Sequence, residues 1–333
     1  MNTLKFNVIT DLAEAKTMWE LFSPQNTIDD EWRFRYAFYK YLHFPLHFIV
    51  GYDGEKPVGL LPLQLNTNQG MSTVRFQMNE PFLEFFGGID TDDNKVFILP
   101  EYQKCIPDFL QQVTTAAVLA PLADQYSVAD NQATYYTDKF VVDLKGLTNL
   151  DMFLDKNFQG KSRRRLRGKI NHFYKNYKIE IKKGTESDLE LLFALNIKRF
   201  GTNSAFHMEH RKQLFRDLVK LYTADIFTIV IDDKPKAVSL SLVHKGTYSG
   251  LNSGYDYAMN DLGKFVFITK IQRAIEMGCA VFDAGKNDNG WKEHFHLQKI
   301  TQYKLTMHLT ETETQLVTSD DALLDTEQFP VIP

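Results

Sequence analysis

The sequence predicts an α/β (α+β) chain of two tandem domains, each a central mixed sheet flanked by helices. Three observations predict it. A chain of 333 residues accommodates about two domains of roughly 100 to 200 residues, each large enough to bury a core. Two helices followed by a β-hairpin occur near the N-terminus and again a domain's length downstream, and a repeated order at that separation points to duplication. A strand, loop, helix, strand succession follows the second hairpin. The expected boundaries are 1–145 for the first domain, 146–178 for connecting helices, 179–310 for the second domain and 311–333 for a tail.

Taken in order, Asp11 and Glu14 form a cap-like pair at the start of a helix whose apolar residues Leu12, Met18, Trp19 and Phe22 recur at helical spacing. Trp32, Tyr36 and Tyr39 continue as a second helix. The period then changes to that of strands around Asp53-Gly54, a dipeptide suited to turns with positive φ. In the second half, Leu189, Leu192, Phe193 and Ile197 mark one helix, with Ser187 and Glu190 as its capping box. Leu214, Phe215, Leu218 and Tyr222 mark the next, and Asp232-Asp233 turns the second hairpin. Between the halves, two helices begin near Leu150 and Lys161, the latter carrying the basic run KSRRRLRGK. Beyond residue 310 the chain turns acidic and loses periodicity.

Composition excludes several classes. Apolar residues at 44% and charged residues at 24% are ordinary for a folded globular protein. A net charge of −4 argues against generic nucleic-acid binding, which rests on an excess of Lys and Arg. The first residues have no positive segment followed by an apolar core, and no apolar run is long enough to span a bilayer, so a cytoplasmic protein without a membrane span is expected. Cys105 and Cys279 lie far apart and read as small buried hydrophobes. His207, His210, His294 and His296 lack a ligand pattern supported by Cys or carboxylates, so no metal site is expected.

The segment from Gly246 to Phe295 carries the chemistry. Its helix, with Phe265, Ile268, Ile271 and Ile275 on one face and Gly278 at its end, is entered through Asn260, Asp261, Leu262, Gly263 and Lys264. A strand feeding a helix N-terminus through a Gly-containing loop aims backbone N–H groups at an anion.

These residues resemble the GNAT N-acyltransferases, and the whole chain resembles their double-domain, CelD-like branch, which is related to the Fem aminoacyltransferases. The resemblance spans roughly residues 1–305. It rests on the DGEKPVGLLPL hairpin from Asp53 to Leu63, the basic helix, Tyr255-Asp256 at a strand end, Gly263 before a long helix, Phe282 to Gly285, and the aromatic-Lys pair Trp291-Lys292. It implies an acyl donor, acetyl-CoA or another acyl-CoA, held by its pyrophosphate at Leu262, Gly263 and Lys264. The pantetheine arm would run between the strands that end near Asp256 and Asp283. Where the double-domain branch has Ser-Pro-Gly before the helix, this chain has Asp261-Leu262-Gly263, with Lys264 offering a compensating point charge.

An amine with a pKa of ~10.4 is almost wholly protonated at neutral pH, so N-acyl transfer needs a proton acceptor. Asp283 is preferred and Asp256 is the alternative, since partial burial raises a carboxylate pKa toward a useful value. Asp283 equally suits a structural role, capping the following turn or pairing with Lys292. Tyr255 and Tyr248 are candidate donors to the leaving thiolate, or else core and rim aromatics. Trp291 stands where the resemblance implies Tyr. Lys292 is a candidate for an anionic acceptor or a solvated lysine. Backbone N–H groups near Ser253 would hold the oxyanion. Arg164 and its basic neighbours form a solvated face or bind an anionic acceptor, a phosphorylated glycan or a tRNA acceptor stem.

The expected function is N-acyl transfer from acyl-CoA to the amine of a small molecule, amino sugar or envelope precursor. A Fem-like aminoacyl-tRNA-dependent transferase and a non-catalytic binding module with a decayed donor loop are the alternatives. The first domain shows its hairpin but no clear Gly-helix loop, and is expected to be a scaffold.

Overall fold

A computed structural model describes residues 3–67, 76–123, 133–286, 292–311, 313–315 and 317. Trp291 and most of the expected 311–333 tail lie outside the described residues. In chain order the elements are β1 Lys5–Ile9, α1 Leu12–Phe22, α2 Trp32–Tyr39, β2 Leu46–Asp53, β3 Lys56–Asn66, β4 Phe82–Phe85, β5 Phe97–Ile98, α3 Ile106–Gln111, β6 Ala117–Leu122 and β7 Ala133–Asp143. There follow α4 Leu150–Asn157, α5 Gly160–Asn176, β8 Ile179–Lys183, α6 Leu189–Phe200, α7 Glu209–Leu221, β9 Thr223–Ile231, β10 Lys234–His244, β11 Thr247–Tyr255, α8 Leu262–Glu276, β12 Val281–Lys286 and β13 Gln298–Met307.

The chain divides into two compact units. The first comprises Met1–Lys139, Lys286–Gly290 and Lys299–Pro333, and the second Phe140–Gly285 and Trp291–Gln298. The division falls inside β7; α4 and α5, expected as a connector, belong to the second unit. Most of β13, expected in the second domain, belongs to the first, where it pairs antiparallel with β6 from Tyr303↔Leu122 to Met307↔Ala117.

Each unit has the same succession of strand, two helices, antiparallel hairpin, and a further strand that joins a parallel neighbour across a helix-bearing connection. In the first unit β1, β2, β3, β4 and β6 lie side by side, with β4 and β6 parallel. In the second β8, β9, β10, β11 and β12 repeat the order, with β11 and β12 parallel. The fold is thus a tandem α/β repeat, each copy a mixed sheet flanked by helices.

Local chemistry explains the elements. Asp11 caps α1 by accepting from the N–H groups of Ala13 and Glu14, both at 2.9 Å. That helix buries Trp19 against Phe97, ring centroids 5.0 Å apart at 87°. The second hairpin turns with Asp232 and Asp233 both at positive φ. One cap differs from expectation. A short 3-10 turn, Glu186–Asp188, precedes α6, so the capping box is Thr185 with Asp188 rather than Ser187 with Glu190.

Candidate functional site

In the second unit β11 is paired with β10 along its whole length, but with β12 only from Thr247↔Val281 to Ser249↔Asp283. Beyond that point β11 runs on to Tyr255 while β12 leaves it, and the strands form a fork. A bulge marks the place. Leu240 faces Asn252 and Ser241 faces Gly250, so Leu251 is the extra residue. Strict alternation would put positions 250 and 254 on one face. The bulge reverses this: a Cβ on Gly254 would point at Leu192 of α6, and one on Gly250 at Lys270 of α8. Ser253 and Tyr255 consequently share the α8 side.

The start of α8 lies at the open end of β11. Asp261 precedes it at φ 61 and accepts no N–H from the helix. Its carboxylate instead takes Lys169 Nζ at 2.7 and 2.8 Å and Lys264 Nζ at 2.9 Å. Burial pushes the Asp261 pKa upward, but the two lysines prevail and hold it below the usual range. The chain therefore neutralises the carboxylate that would repel a phosphate, and the three side chains carry one net positive charge.

A family model described as "Acetyltransferase (GNAT) domain" matches residues 160–293. This part of the chain is similar to a GNAT-type acetyltransferase domain. No curated protein matches it by sequence. Among solved structures, FemX is 9% identical with a TM-score of 0.59, covering 93% of this chain and 99% of that one. L-PGS from Bacillus licheniformis is 13% identical with a TM-score of 0.55, covering 93% and 96%. A tandem GNAT protein from the clavulanic acid biosynthesis pathway is 11% identical with a TM-score of 0.50, covering 93% and 100%. At these identities the likeness is one of fold.

Within the GNAT domain the sequence-derived candidates separate. Gly263 lies directly against Tyr255: a Cβ there would sit 2.5 Å from the phenolic oxygen. Tyr255 is itself backed by Tyr257 at 4.0 Å between ring centroids, and Arg199 lies over the Tyr257 ring and donates to its hydroxyl. The glycine at this helix start accommodates a protein side chain as well as any ligand. Gly263→Ala should therefore destabilise the fold by about 1–3 kcal/mol, and Tyr255→Leu in the same chain should recover most of it. An unchanged melting temperature in Gly263→Ala contradicts this.

Three expectations need correction. Tyr248 is fully buried and its hydroxyl donates to Asp225 at 2.7 Å, so it lines no open cleft; burial and then the carboxylate push its pKa up. Leu262 is wholly buried in an apolar cluster and its N–H bonds to the Met259 carbonyl at 3.3 Å, so it is not a free donor for a phosphate. The Asp256 carboxyl, expected to be raised, is lowered, because Lys236 Nζ donates to it at 2.7 Å and the Ala258 N–H at 3.2 Å.

Asp283, the last β12 residue paired with β11, accepts from the Gly285 N–H at 2.8 Å. Lys292 is not solvated but buried, donating to the carbonyls of Ala284 at 2.8 Å and Gly285 at 3.1 Å. Ser253 faces Ser239 across the β10–β11 pair, hydroxyl oxygens 3.1 Å apart. Arg164 is exposed on α5, whose Arg163 and Arg167 are tied to Asp155 and Asp151 of α4.

Sequence reading passed over Lys270. It lies in α8 among Phe267, Ile268, Thr269 and Ile271, and only 8% of it is exposed. Burial first, then the charge of Lys292, pushes its pKa down to about 7. The legible signal was a single lysine inside the apolar run FVFITKI.

Proposed function

We propose that the GNAT domain transfers an acyl group from acyl-CoA, acetyl-CoA among them, to the amine of a small molecule, amino sugar or envelope precursor. The observation that carries the reading is the parting of β11 from β12 after Ser249 and Asp283, next to the start of α8. An extended pantetheine arm can complete the unpaired edge of β11 by strand-like hydrogen bonds. The thioester would then lie inside the fork, where N–H groups near Ser253 would hold an oxyanion. The neutral amine attacks the thioester carbonyl, the C–N bond forms, and the thiolate leaves with a proton. Asp283 is placed at the fork by its pairing with Ser249 and shapes the β12 side through Gly285.

A thermal scan with CoA and acetyl-CoA, coupled to thiol release with a panel of primary amines, tests this. Ligand at about 100 times its dissociation constant adds roughly 2.7 kcal/mol, which for domains of this size raises the melting temperature by several degrees. No rise with either ligand and no thiol release would overturn the CoA-dependent reading.

A second reading, an aminoacyl-tRNA donor, is favoured by α5. There Lys161, Arg164 and Arg165 are exposed and, among the described residues, have no ion-pair partner. The covering of Gly263 by Tyr255 points the same way. Binding of an aminoacyl-tRNA that weakens steeply with salt and with Arg164→Ala, alongside indifference to CoA, selects it. Indifference to both leaves the binding-module alternative.

A further inference from the structure

The fork holds a lysine that the proposed function has not used. Lys270 projects from α8 toward Gly250, the first residue of β11 beyond the β12 pairing; a Cβ at Gly250 would stand 3.3 Å from its Nζ and 3.6 Å from the Asp283 carbonyl oxygen. The glycine leaves this space to the amine. Among the described residues Lys270 Nζ has no hydrogen-bond or ion-pair partner, although the residue is more than nine-tenths buried. A buried ammonium without a partner is costly, and a lysine relieves that cost by losing its proton.

The charged groups around Lys270 reinforce this. From the Lys292–Phe295 turn, Lys292 repels a proton on Lys270 while resting on the Ala284 and Gly285 carbonyls. From β12, Asp283 turns a carboxylate oxygen to the Gly285 N–H. One turn along α8, Arg273 is committed to Asp225. On the β11 side, Asp256 is bound to Lys236. The carboxylates offered by the sequence are thus engaged, and the unpartnered nitrogen at the fork belongs to a lysine.

We propose that Lys270, as a neutral amine, is the proton acceptor of the acyl transfer, taking the proton of the acceptor's ammonium as its nitrogen attacks the thioester. The proposal rests on the acyl-CoA reading for its donor. The acceptor's ammonium gives one proton to Lys270 Nζ, which releases it to solvent; the freed lone pair forms the C–N bond, the C–S bond breaks, and the second proton of that nitrogen passes through Lys270 to the departing thiolate. Acyl-CoA and ammonium are consumed, amide, CoA thiol and one solvent proton are formed, and Lys270 ends neutral.

The test compares the unaltered chain with Lys270→Met and Lys270→Arg, using acetyl-CoA and the amine panel. Loss of a general base slows turnover about 10²- to 10⁴-fold. Neither variant restores a neutral amine, so both should show that loss, with the CoA-induced thermal shift retained in Lys270→Met. In the unaltered chain kcat/KM should rise with pH to a bend at about 7, because the neutral lysine meets an acceptor that arrives as an ammonium. In Lys270→Met it should climb on toward the acceptor's own pKa of ~10. Near-normal turnover in Lys270→Met, or rescue by Lys270→Arg, overturns the proposal, the latter pointing to a fixed cation instead.

A second readout needs no turnover. A lysine neutral in the fold but of pKa ~10.4 when unfolded lowers stability fully below its folded value, and the penalty fades as pH rises toward the unfolded one. The stability advantage of Lys270→Met should therefore be greatest below about pH 7 and shrink above it. A pH-independent difference overturns the assignment whatever the donor. An unaltered chain inactive with acetyl-CoA but retaining this pH dependence overturns the CoA reading and supports the neutral amine at the fork.

Discussion

Arg273→Met is expected to destabilise the GNAT domain by about 3–5 kcal/mol, the usual effect of stripping one partner from a buried ion pair. Asp225 is only 4% exposed at its side chain and is gripped by both sides of the guanidinium, with Nε at 2.6 Å. Without Arg273 the carboxylate keeps Tyr248 and little else. Unfolding in urea should show a lower midpoint with an unchanged slope. Asp225→Asn combined with Arg273→Met should recover part of the loss, because the stranded charge is then gone. Equal losses in the single and double variants would argue that packing of Arg273 over Phe227, 5.5 Å from the ring, dominates.

Arg35→Met should have an effect of the same order, about 3–5 kcal/mol, or a fall in melting temperature on the order of 10 °C, in the first unit. Its guanidinium is buried and donates to the carbonyls of Asp29 at 2.7 Å, Phe86 at 3.0 Å and Asp93 at 3.3 Å, to Thr91 Oγ1 at 2.7 Å, and to Asn94 Oδ1. Burial and then Asp93 raise the Asp29 pKa, with Arg35 opposing. Removing Arg35 leaves several acceptors unsatisfied together, each a separate desolvation loss. Arg35→Lys should recover little, since one ammonium cannot span five acceptors held by a planar fork. A melting temperature within 2 °C of the unaltered chain (roughly 1 kcal/mol or less) contradicts the account.

The repeated fold was legible because its signals are local. Asp11 caps the helix it precedes, Asp53-Gly54 and Asp232-Asp233 turn the expected hairpins, and Gly278 at φ 69 follows α8. A cleft between the strands carrying Asp256 and Asp283 was an implication of the family resemblance, and Asp283 and Ser253 were among its candidates; the contacts around them were not legible. The pairing of Asp261 with Lys169 joins residues 92 positions apart, and no spacing rule encodes it. The Leu251 bulge decides which face Gly250 and Tyr255 present, and one inserted residue inverts every side chain after it. Between a donor and a core aromatic, Tyr248 is the core aromatic; the buried Asp225 that claims it lies on β9, 23 positions away. No motif surrounds Lys270; its burial and its nearness to Gly250 arise only when α8 packs against β11.

The placement of β13 has a consequence for how the polypeptide acquires its structure during synthesis. The first unit contains residues 299–307 beside a strand laid down near residue 120. While the ribosome is still making the second half, the emerging first half lacks a strand of its sheet, and the edge of β6 that will receive β13 is without it. Such an edge invites pairing with other chains, and closure over so long a sequence separation slows folding. Pulse-labelled hydrogen exchange should accordingly show protection at Ala117 and Leu119, whose N–H groups face β13, arriving late together with that of Leu305, rather than with the earlier hairpin of β2 and β3.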